Sequence, residues 1–268
     1  MSNLPSFDKP PITEAAIGVQ FLPLERAKNC DLWAFWSTIQ DDYPRTEDQL
    51  PIDRKTEEFG PDVFKKSLKP HIAFASPAVR LRMLSDDQHH MIQLQNGRLV
   101  LNWRRLDDGI YPRWSFIYAE FKHRVEQFRQ FVNNHNLGKF EIDQWELTYV
   151  NNFFEGEDWH SPIDWPKLLP GLLGDYSLFA FDNSLEAISN ETVHAIPNSR
   201  ARFYTDLKRA STTKSPSRDL LIFTLTCRGG VSNNWSFEQG LEFGRETIVT
   251  NFRLLTGSIA HAKWGLQQ

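Results

Sequence analysis

Several features that point to particular functions are missing from this 268-residue sequence. No stretch approaches the roughly 20 uncharged apolar residues of a membrane-spanning helix. The first residues carry neither the basic nor the apolar region of a signal peptide. The two cysteines, Cys30 and Cys227, are too few for a disulfide framework, and Cys227 lies in an apolar run typical of a buried strand. These absences predict a cytoplasmic protein that does not enter a membrane.

Motifs for catalysis and for cofactor binding are also missing. The eight histidines form no His-x-x-x-His pair, and the sequence has no Cys-x-x-Cys, Gly-x-Ser-x-Gly or Gly-x-x-x-x-Gly-Lys pattern. His89 and His90 lie close to Asp86 and Asp87, but neighbouring residues of a strand point to opposite faces and cannot both bind one ion. We therefore predict no metal, no cofactor and no catalytic residue.

Neither acidic nor basic residues are in large excess overall, but the two kinds are unevenly distributed along the sequence. The net charge is −4 and the pI is about 6.1, which disfavours a general nucleic-acid binder. Residues 141–191 carry eleven acids and one lysine, whereas residues 200–228 carry seven cations and two acids. These blocks could be solvated strand faces, opposite faces of the molecule, a dimer contact or a phosphate-binding surface.

Aromatic residues, in contrast, are abundant. Phenylalanine, tryptophan and tyrosine make up 13% of the chain, enough apolar area for a folded core. The tryptophans recur at matching places, because Trp114-Ser115-Phe116 and Trp235-Ser236-Phe237 each open a long amphipathic pattern. Trp33 and Trp165 similarly fall in two short helical patterns, so we interpret these four tryptophans as duplicated core anchors.

Periodicity predicts two halves with the same order of elements. In the first half, residues 13–24 alternate as a strand, residues 31–39 form a short helix, Asn96-Gly97 predicts a hairpin, and residues 115–136 form a long helix. Residues 44–70 read as a long surface connection. In the second half, residues 142–154 form a strand, residues 163–173 a short helix, and residues 236–255 a long helix. Further strands are predicted at residues 72–74, 79–84, 178–188, 201–210 and 220–227.

The fold class predicted from this order is α+β with two tandem β-α-β(3–4)-α halves, residues 1–137 and 138–268, packed as one unit. Each half would be a curved antiparallel sheet crossed by its long helix. The order looks like the folds of TATA-binding protein and of helix-grip ligand carriers, an analogy that does not indicate function.

Two clusters are candidate ligand- or partner-binding sites. The first joins a strand end to the start of the long helix, where arginines lie among aromatics and can bind a carboxylate, a phosphate or a base. Its members are Trp103, Arg104, Arg105, Tyr111 and Arg113. The alternative is that Trp103 is a core anchor and the arginines pair with nearby acids.

The second cluster is Tyr149 and Asn151 on the strand at residues 142–154. The two-residue period places Leu147, Tyr149 and Asn151 on one face and Glu146 on the other. Buried polar groups need partners, which could be a ligand, a subunit or the other half of the fold. Gln20, on the first strand, is the proposed counterpart of Asn151.

Together with Phe7-x-Lys9-Pro10-Pro11-Ile12-x-Glu14 and Val19-Gln20-Phe21, the motifs of these clusters resemble a family. The further matching motifs are Gln93-x-Gln95-x-x-Arg98-x-x-x-Asn102-Trp103-Arg104, Tyr111-Pro112-Arg113 and Glu146-x-Thr148-Tyr149-Val150-Asn151. The family is sporadically distributed in bacteria, and its members are uncharacterised proteins of about this length. The resemblance implies a bacterial source and a mobile gene, as in phage-defence or toxin–antitoxin modules.

Three functions remain open from the sequence. The first is a non-catalytic binding protein whose partner is another protein or a second copy in a homodimer. The second is a nucleic-acid-binding protein that uses the arginine–aromatic clusters. The third is a small-ligand carrier or enzyme with a pocket between sheet and helix, formed by Arg104, Arg113, Glu146, Tyr149 and Asn151.

Overall fold

A nine-stranded antiparallel sheet runs through both halves of the sequence in the computed structural model. The structure describes residues 4–57, 78–107, 109–174, 185–213, 215–232 and 234–267. The chain is therefore an α+β protein, as the element order predicts. None of the helices in these ranges is long and apolar enough to cross a bilayer.

The elements are named in chain order. The strands are β1 (Ser6–Phe7), β2 (Ile12–Phe21), β3 (Arg45–Gln49), β4 (Arg80–Leu84), β5 (His90–Gln95), β6 (Arg98–Arg104), β7 (Ile142–Phe154), β8 (Ser189–Ala195), β9 (Ala201–Ser211), β10 (Asp219–Gly230) and β11 (Leu266–Gln267). The helices are α1 (Asn29–Ser37), α2 (Trp114–Asn134), α3 (Trp165–Leu168), α4 (Phe237–Leu255) and α5 (Ser258–Trp264). A 3-10 turn, Pro162–Asp164, leads into α3.

The spatial order of the strands is β3-β4-β5-β6-β2-β7-β10-β9-β8. Within this sheet, the first strand of each half, β2 or β7, lies at the centre, and the last strand of the same half, β6 or β10, lies beside it. Strands β2 and β7 pair antiparallel from Ile12 opposite Asn151 to Phe21 opposite Ile142. The junction between the halves is thus a continuous ladder at the middle of the sheet. Separately, β1 pairs with β11, so the two ends of the described chain meet.

Short-range signals locate several elements correctly. Asn96-Gly97 joins β5 to β6 with Gln95 opposite Arg98, which confirms the predicted hairpin. Strand β7 has the predicted bounds. The Ser236 side chain accepts a hydrogen bond from the Gln239 amide at the start of α4, which confirms the predicted capping box.

Other expectations need correction. Residues 45–49 lie in the predicted surface connection but form strand β3. Residues 185–188 are predicted to be strand but are not, and strand β8 begins only at Ser189. Both are edge strands with exposed, charged residues that carry little apolar alternation. Helix α1 begins at Asn29 rather than after an Asp31 cap. The strand predicted at residues 72–74 lies outside the described residues. The same holds for residues 178–184 of the strand predicted at residues 178–188.

The helices α2 and α4 lie on the same face of the sheet, α2 against β6 and α4 against β7 and β10. The core between sheet and helices is one continuous cluster that includes residues of both halves. Trp165 and Trp114 belong to it, but Trp33 is 37% exposed and Trp235 is half-buried outside the cluster, so the assignment of these two as core anchors is wrong. A short helix can present a tryptophan to solvent on the side away from the sheet, and the local sequence does not reveal which side that is.

The two cysteines are expected to differ sharply in reactivity. Cys30 is exposed, whereas Cys227 is fully buried on β10, and burial raises the pKa of its thiol to about 12. Because the thiolate is the reactive form, a disulfide reagent at pH 8 should modify one thiol per folded chain. In denaturant it should modify two. Rapid reaction of both thiols in the folded protein would contradict the packing of β10.

Candidate functional site

A cavity of about 240 Å³ lies where the two halves meet, between the centre of the sheet and helices α2 and α4. Strands β2, β7 and β10 form its floor, the start of α2 and the middle of α4 form its sides, and the N-terminal segment closes one end. Its walls are mostly apolar or aromatic. Its lining residues are Pro5, Ser6, Phe7, Pro10, Ile12, Tyr111, Arg113, Trp114, Ser115, Tyr149, Asn151, Leu225, Arg245, Ile248, Val249 and Phe252.

Two tyrosines from different parts of the chain meet in this cavity. The hydroxyl oxygens of Tyr111 and Tyr149 are 3.3 Å apart, and the Tyr111 ring also packs edge-on against Trp103 at 5.2 Å. Burial raises the pKa of Tyr149 well above its ordinary value and raises that of Tyr111 as well. Both phenols are therefore protonated at neutral pH. Since only one proton is shared between them, one O–H remains able to donate to a ligand.

Arg245 on α4 brings positive charge to the same cavity. Its guanidinium carbon lies 5.7 Å from the centre of the Trp114 ring. Among the described residues, no carboxylate lies within ion-pair distance of this side chain. The lining contains Arg113 as a second cation and no acidic residue. The cavity is thus apolar in its walls and electropositive at one side.

The start of helix α2 adds to this electropositive side. Arg113 is its N-cap residue, and no side chain caps the first turn. The unpaired amide groups of a helix start carry partial positive charge and favour an anion nearby. Arg113 has a φ of 74°, a backbone conformation that costs a non-glycine residue about 1–3 kcal/mol and that is often found at functional sites.

Arg113 also connects the cavity to its N-terminal wall. Its guanidinium donates a 2.8 Å hydrogen bond to the Phe7 carbonyl. The Phe7 ring packs edge-on against Phe252 at 5.5 Å and against Trp264 at 6.0 Å. The wall is thus held by the end of the chain, which explains why no local pattern at residues 5–10 indicates it.

Four of the seven predicted site residues line the cavity: Tyr111, Arg113, Tyr149 and Asn151. The two clusters that the sequence keeps apart are therefore one site. Asn151 donates a 3.2 Å hydrogen bond to the Phe223 carbonyl, while its amide oxygen accepts none from the described residues and is available to a ligand.

The other three predicted residues do not line the cavity. Trp103 is 2% exposed and packs behind Tyr111. Arg104 donates to the Gln88 carbonyl at 3.2 Å, and Arg105 donates to the Pro10 carbonyl at 3.0 Å. Backbone carbonyls thus hold both arginines.

The proposed equivalence of Gln20 and Asn151 is also wrong. On β2, Gln20 lies opposite Gln144, on the side of the sheet away from the helices. Asn151 lies on the helix-covered side with Leu147 and Tyr149, as the period-two pattern predicts. Glu146 is on the opposite side of β7 and therefore cannot contribute to the cavity.

Sequence reasoning missed Arg245, although a signal for it exists. The apolar stripe of α4 includes Phe237, Leu241, Ile248 and Phe252, and position 245 falls on this stripe between Leu241 and Ile248. A cation at a position that faces the core indicates either a buried ion pair or a ligand. The structure shows no ion pair for it within the described ranges.

Comparisons with known proteins add no family. No family model matches the sequence, and no curated protein matches it. Among solved structures, the chain has 6% identity with the di-domain ARO/CYC StfQ from the steffimycin biosynthetic pathway, over 67% of this chain and 73% of that one. The TM-score is 0.16, so no argument rests on this likeness. The resemblance to a scattered bacterial family stays a prediction.

Within the described ranges, no group of three or more His, Cys, Asp or Glu side chains could hold a metal ion. The residues that line the cavity can offer a ligand hydrogen bonds, cationic contacts and apolar contacts.

Proposed function

We propose that this protein is a non-catalytic binding protein that holds a small apolar organic anion in the cavity between its halves. The observation that carries the proposal is the lining itself, two arginines and no acidic residue among apolar and aromatic walls. Pockets of this kind bind ligands through buried apolar area and use a few polar groups for orientation.

The size of the cavity sets the class of ligand. A dry cavity of about 150 Å³ can hold a benzene, so 240 Å³ has room for a larger ring system with a polar substituent. The anionic group of such a ligand would lie near Arg245 and the start of α2. The Tyr111–Tyr149 hydroxyl pair and the Asn151 amide would then bind a second polar group, if the ligand has one.

The strand order supports a further proposal about the origin of the site. Within the sheet, each half has its first strand at the centre, its last strand beside it and the intervening strands further out, and each half contributes one long helix to the same face. We infer that residues 1–137 and 138–268 are tandem copies of one β-α-β-α unit, similar in arrangement to TATA-binding protein or to helix-grip carriers. The cavity then lies on the junction of the copies.

The test compares two probes with the same ring system, 2-naphthoate and the neutral 2-naphthamide, by isothermal titration calorimetry. We expect 2-naphthoate to bind at one site per chain and at least about tenfold more tightly than the amide, because a hydrogen bond to a charged group contributes about 1.5–3 kcal/mol. Absence of binding by both probes, or equal binding at several sites, would contradict the proposal.

A further inference from the structure

Residues 52–57, here called the crossing segment, lie across the sheet face opposite the helices, here called the outer face. This segment has no helix or strand. It follows a row of side chains that face each other on neighbouring strands: Gln95 opposite Arg98, Arg98 opposite Gln20, and Gln20 opposite Gln144. The segment therefore runs across the strands.

Three glutamine side chains of the outer face hold the backbone of the crossing segment. The Gln95 amide pairs with both backbone groups of Ile52, donating at 2.8 Å and accepting at 2.9 Å. Gln144 accepts from the Glu57 N–H at 2.8 Å and donates to the Lys55 carbonyl at 2.5 Å. Gln20 donates to the same carbonyl at 2.9 Å. These contacts do not involve the side chains of the segment.

The Glu57 side chain of the segment is held by buried charges. The Glu57 carboxylate is 4% exposed and lies 3.2 Å from Nε of Arg228. It also pairs with Arg202 and accepts a 2.5 Å hydrogen bond from the Tyr204 hydroxyl. Arg228 also lies 3.1 Å from Glu146 of the central strand β7. The side chains that bind Glu57 are thus connected to the middle of the sheet.

Apolar burial contributes little to holding the segment. Residues 53–56 are exposed and Ile52 is half-buried. The other contacts come from Arg54, which pairs with Asp143 on the rim and donates to the Phe21 carbonyl. A buried ion pair adds little net stability after its desolvation cost. The segment is thus attached by groups that can exchange it for another peptide with the same backbone and an acid at the same place.

We propose that the outer face is a recognition site for an extended peptide segment of a partner protein that carries one anchoring glutamate or aspartate, and that residues 52–57 are its internal occupant. The partner segment would place a glutamate or aspartate between Arg202, Arg228 and Tyr204, five residues after the position that Gln95 holds. Because the internal occupant is tethered, its effective concentration is high, and the partner must compete with it.

The experiment uses the full chain and a fluorescein-labelled, C-terminally amidated peptide of residues 50–57. Glu57→Ala removes only the acid anchor of the internal occupant. Asp53→Ala is the matched control, since it removes an exposed carboxylate from the same segment. By fluorescence anisotropy, we expect the peptide to bind Glu57→Ala at least tenfold more tightly than wild type or Asp53→Ala. A peptide with glutamine in place of the final glutamate should bind Glu57→Ala at least tenfold more weakly.

Equal binding to the three chains, or equal binding of the two peptides, would overturn the proposal. The proposal would also be overturned if inorganic phosphate stabilised Glu57→Ala against unfolding while the peptide did not bind. That result would indicate a site for free anions. A second measurement needs no variant. Excess unlabelled peptide should accelerate hydrogen exchange at the Ile52 and Glu57 amides of the wild-type chain but not at Ile117 in α2, and unchanged exchange at all three would count against the proposal.

Discussion

Gly240→Ala is expected to lower the free energy of unfolding by about 3 kcal/mol, since overpacking a tight core typically costs 1–3 kcal/mol and sometimes more. Gly240 lies on the side of α4 that contacts the sheet, and a Cβ atom there would overlap the indole ring of Trp145. At Gly244, one turn later, the added atom would lie 2.8 Å from Cζ3 of the same ring. Trp145 is 1% exposed on the central strand β7.

The sign of this effect is opposite to that of helix propensity. Alanine in place of glycine within a helix normally adds about 1 kcal/mol of stability, so the clash must exceed that gain. Gly174→Ala is a control outside any helix for the same exchange without a clash, because nothing lies within 4 Å of the Cβ that it adds. Urea denaturation should show a change within about 0.5 kcal/mol for this control. Equal stability of the two variants would show that α4 does not approach β7 as closely as described.

Arg245→Met is expected to weaken the binding of 2-naphthoate about tenfold or more, by removal of a charge-assisted hydrogen bond. Methionine keeps much of the apolar stem, so the cavity wall remains and the loss reports the charge. Binding of the neutral 2-naphthamide should change little. The prediction depends on the proposed function and asks which residue recognises the anion.

The control for Arg245→Met is Arg253→Met, which removes a cation from the same helix at an exposed position. Calorimetric titration of both variants with both probes separates a local contact from the general effect of net charge. If the two variants lose the same affinity for 2-naphthoate, long-range charge and not contact with Arg245 explains the binding. If neither loses affinity, the anion lies elsewhere in the cavity, near Arg113 and the start of α2.

The pairing of charges within the chain explains part of the uneven charge distribution. Arg228 of the basic block contacts Glu146 of the acidic block at 3.1 Å, and Arg218 contacts Glu157 at 2.5 Å. The two blocks become neighbours because β7 pairs with β10. Sequence alone leaves a dimer contact, a phosphate surface and opposite faces as alternatives, since the pairing of β7 with β10 is a long-range choice.

The elements that could be predicted are those with strong local signals. The turn at Asn96-Gly97, the alternation of β7 and the stripes of α2 and α4 each depend on neighbouring residues. The elements that were missed, β3 and β8, are edge strands whose side chains are exposed on both faces. Without a buried face a strand has no period-two pattern, and its conformation is decided by the neighbouring strand.

For the candidate site, local patterns predicted four of the residues that line the cavity, but they did not predict that these residues lie in the same cavity. Tyr111 and Tyr149 are brought together because β2, which pairs with β6, also pairs with β7. Phe7 reaches the cavity because β1 pairs with a strand at the other end of the chain. Such contacts join residues that are far apart along the chain, 38 positions for Tyr111 and Tyr149, and single-sequence periodicity carries no information about them.

The sequence by itself determined that this chain has a large aromatic core, an α+β order of elements, and polar residues on buried faces that require partners. It also determined the position of a cation on the apolar stripe of α4. Only the tertiary structure decided which of those groups share a cavity, and that Glu57 covers the arginines of the outer face. The physical reason is that short-range preferences depend on neighbours along the chain, whereas a site depends on which strands pair and which face each helix covers.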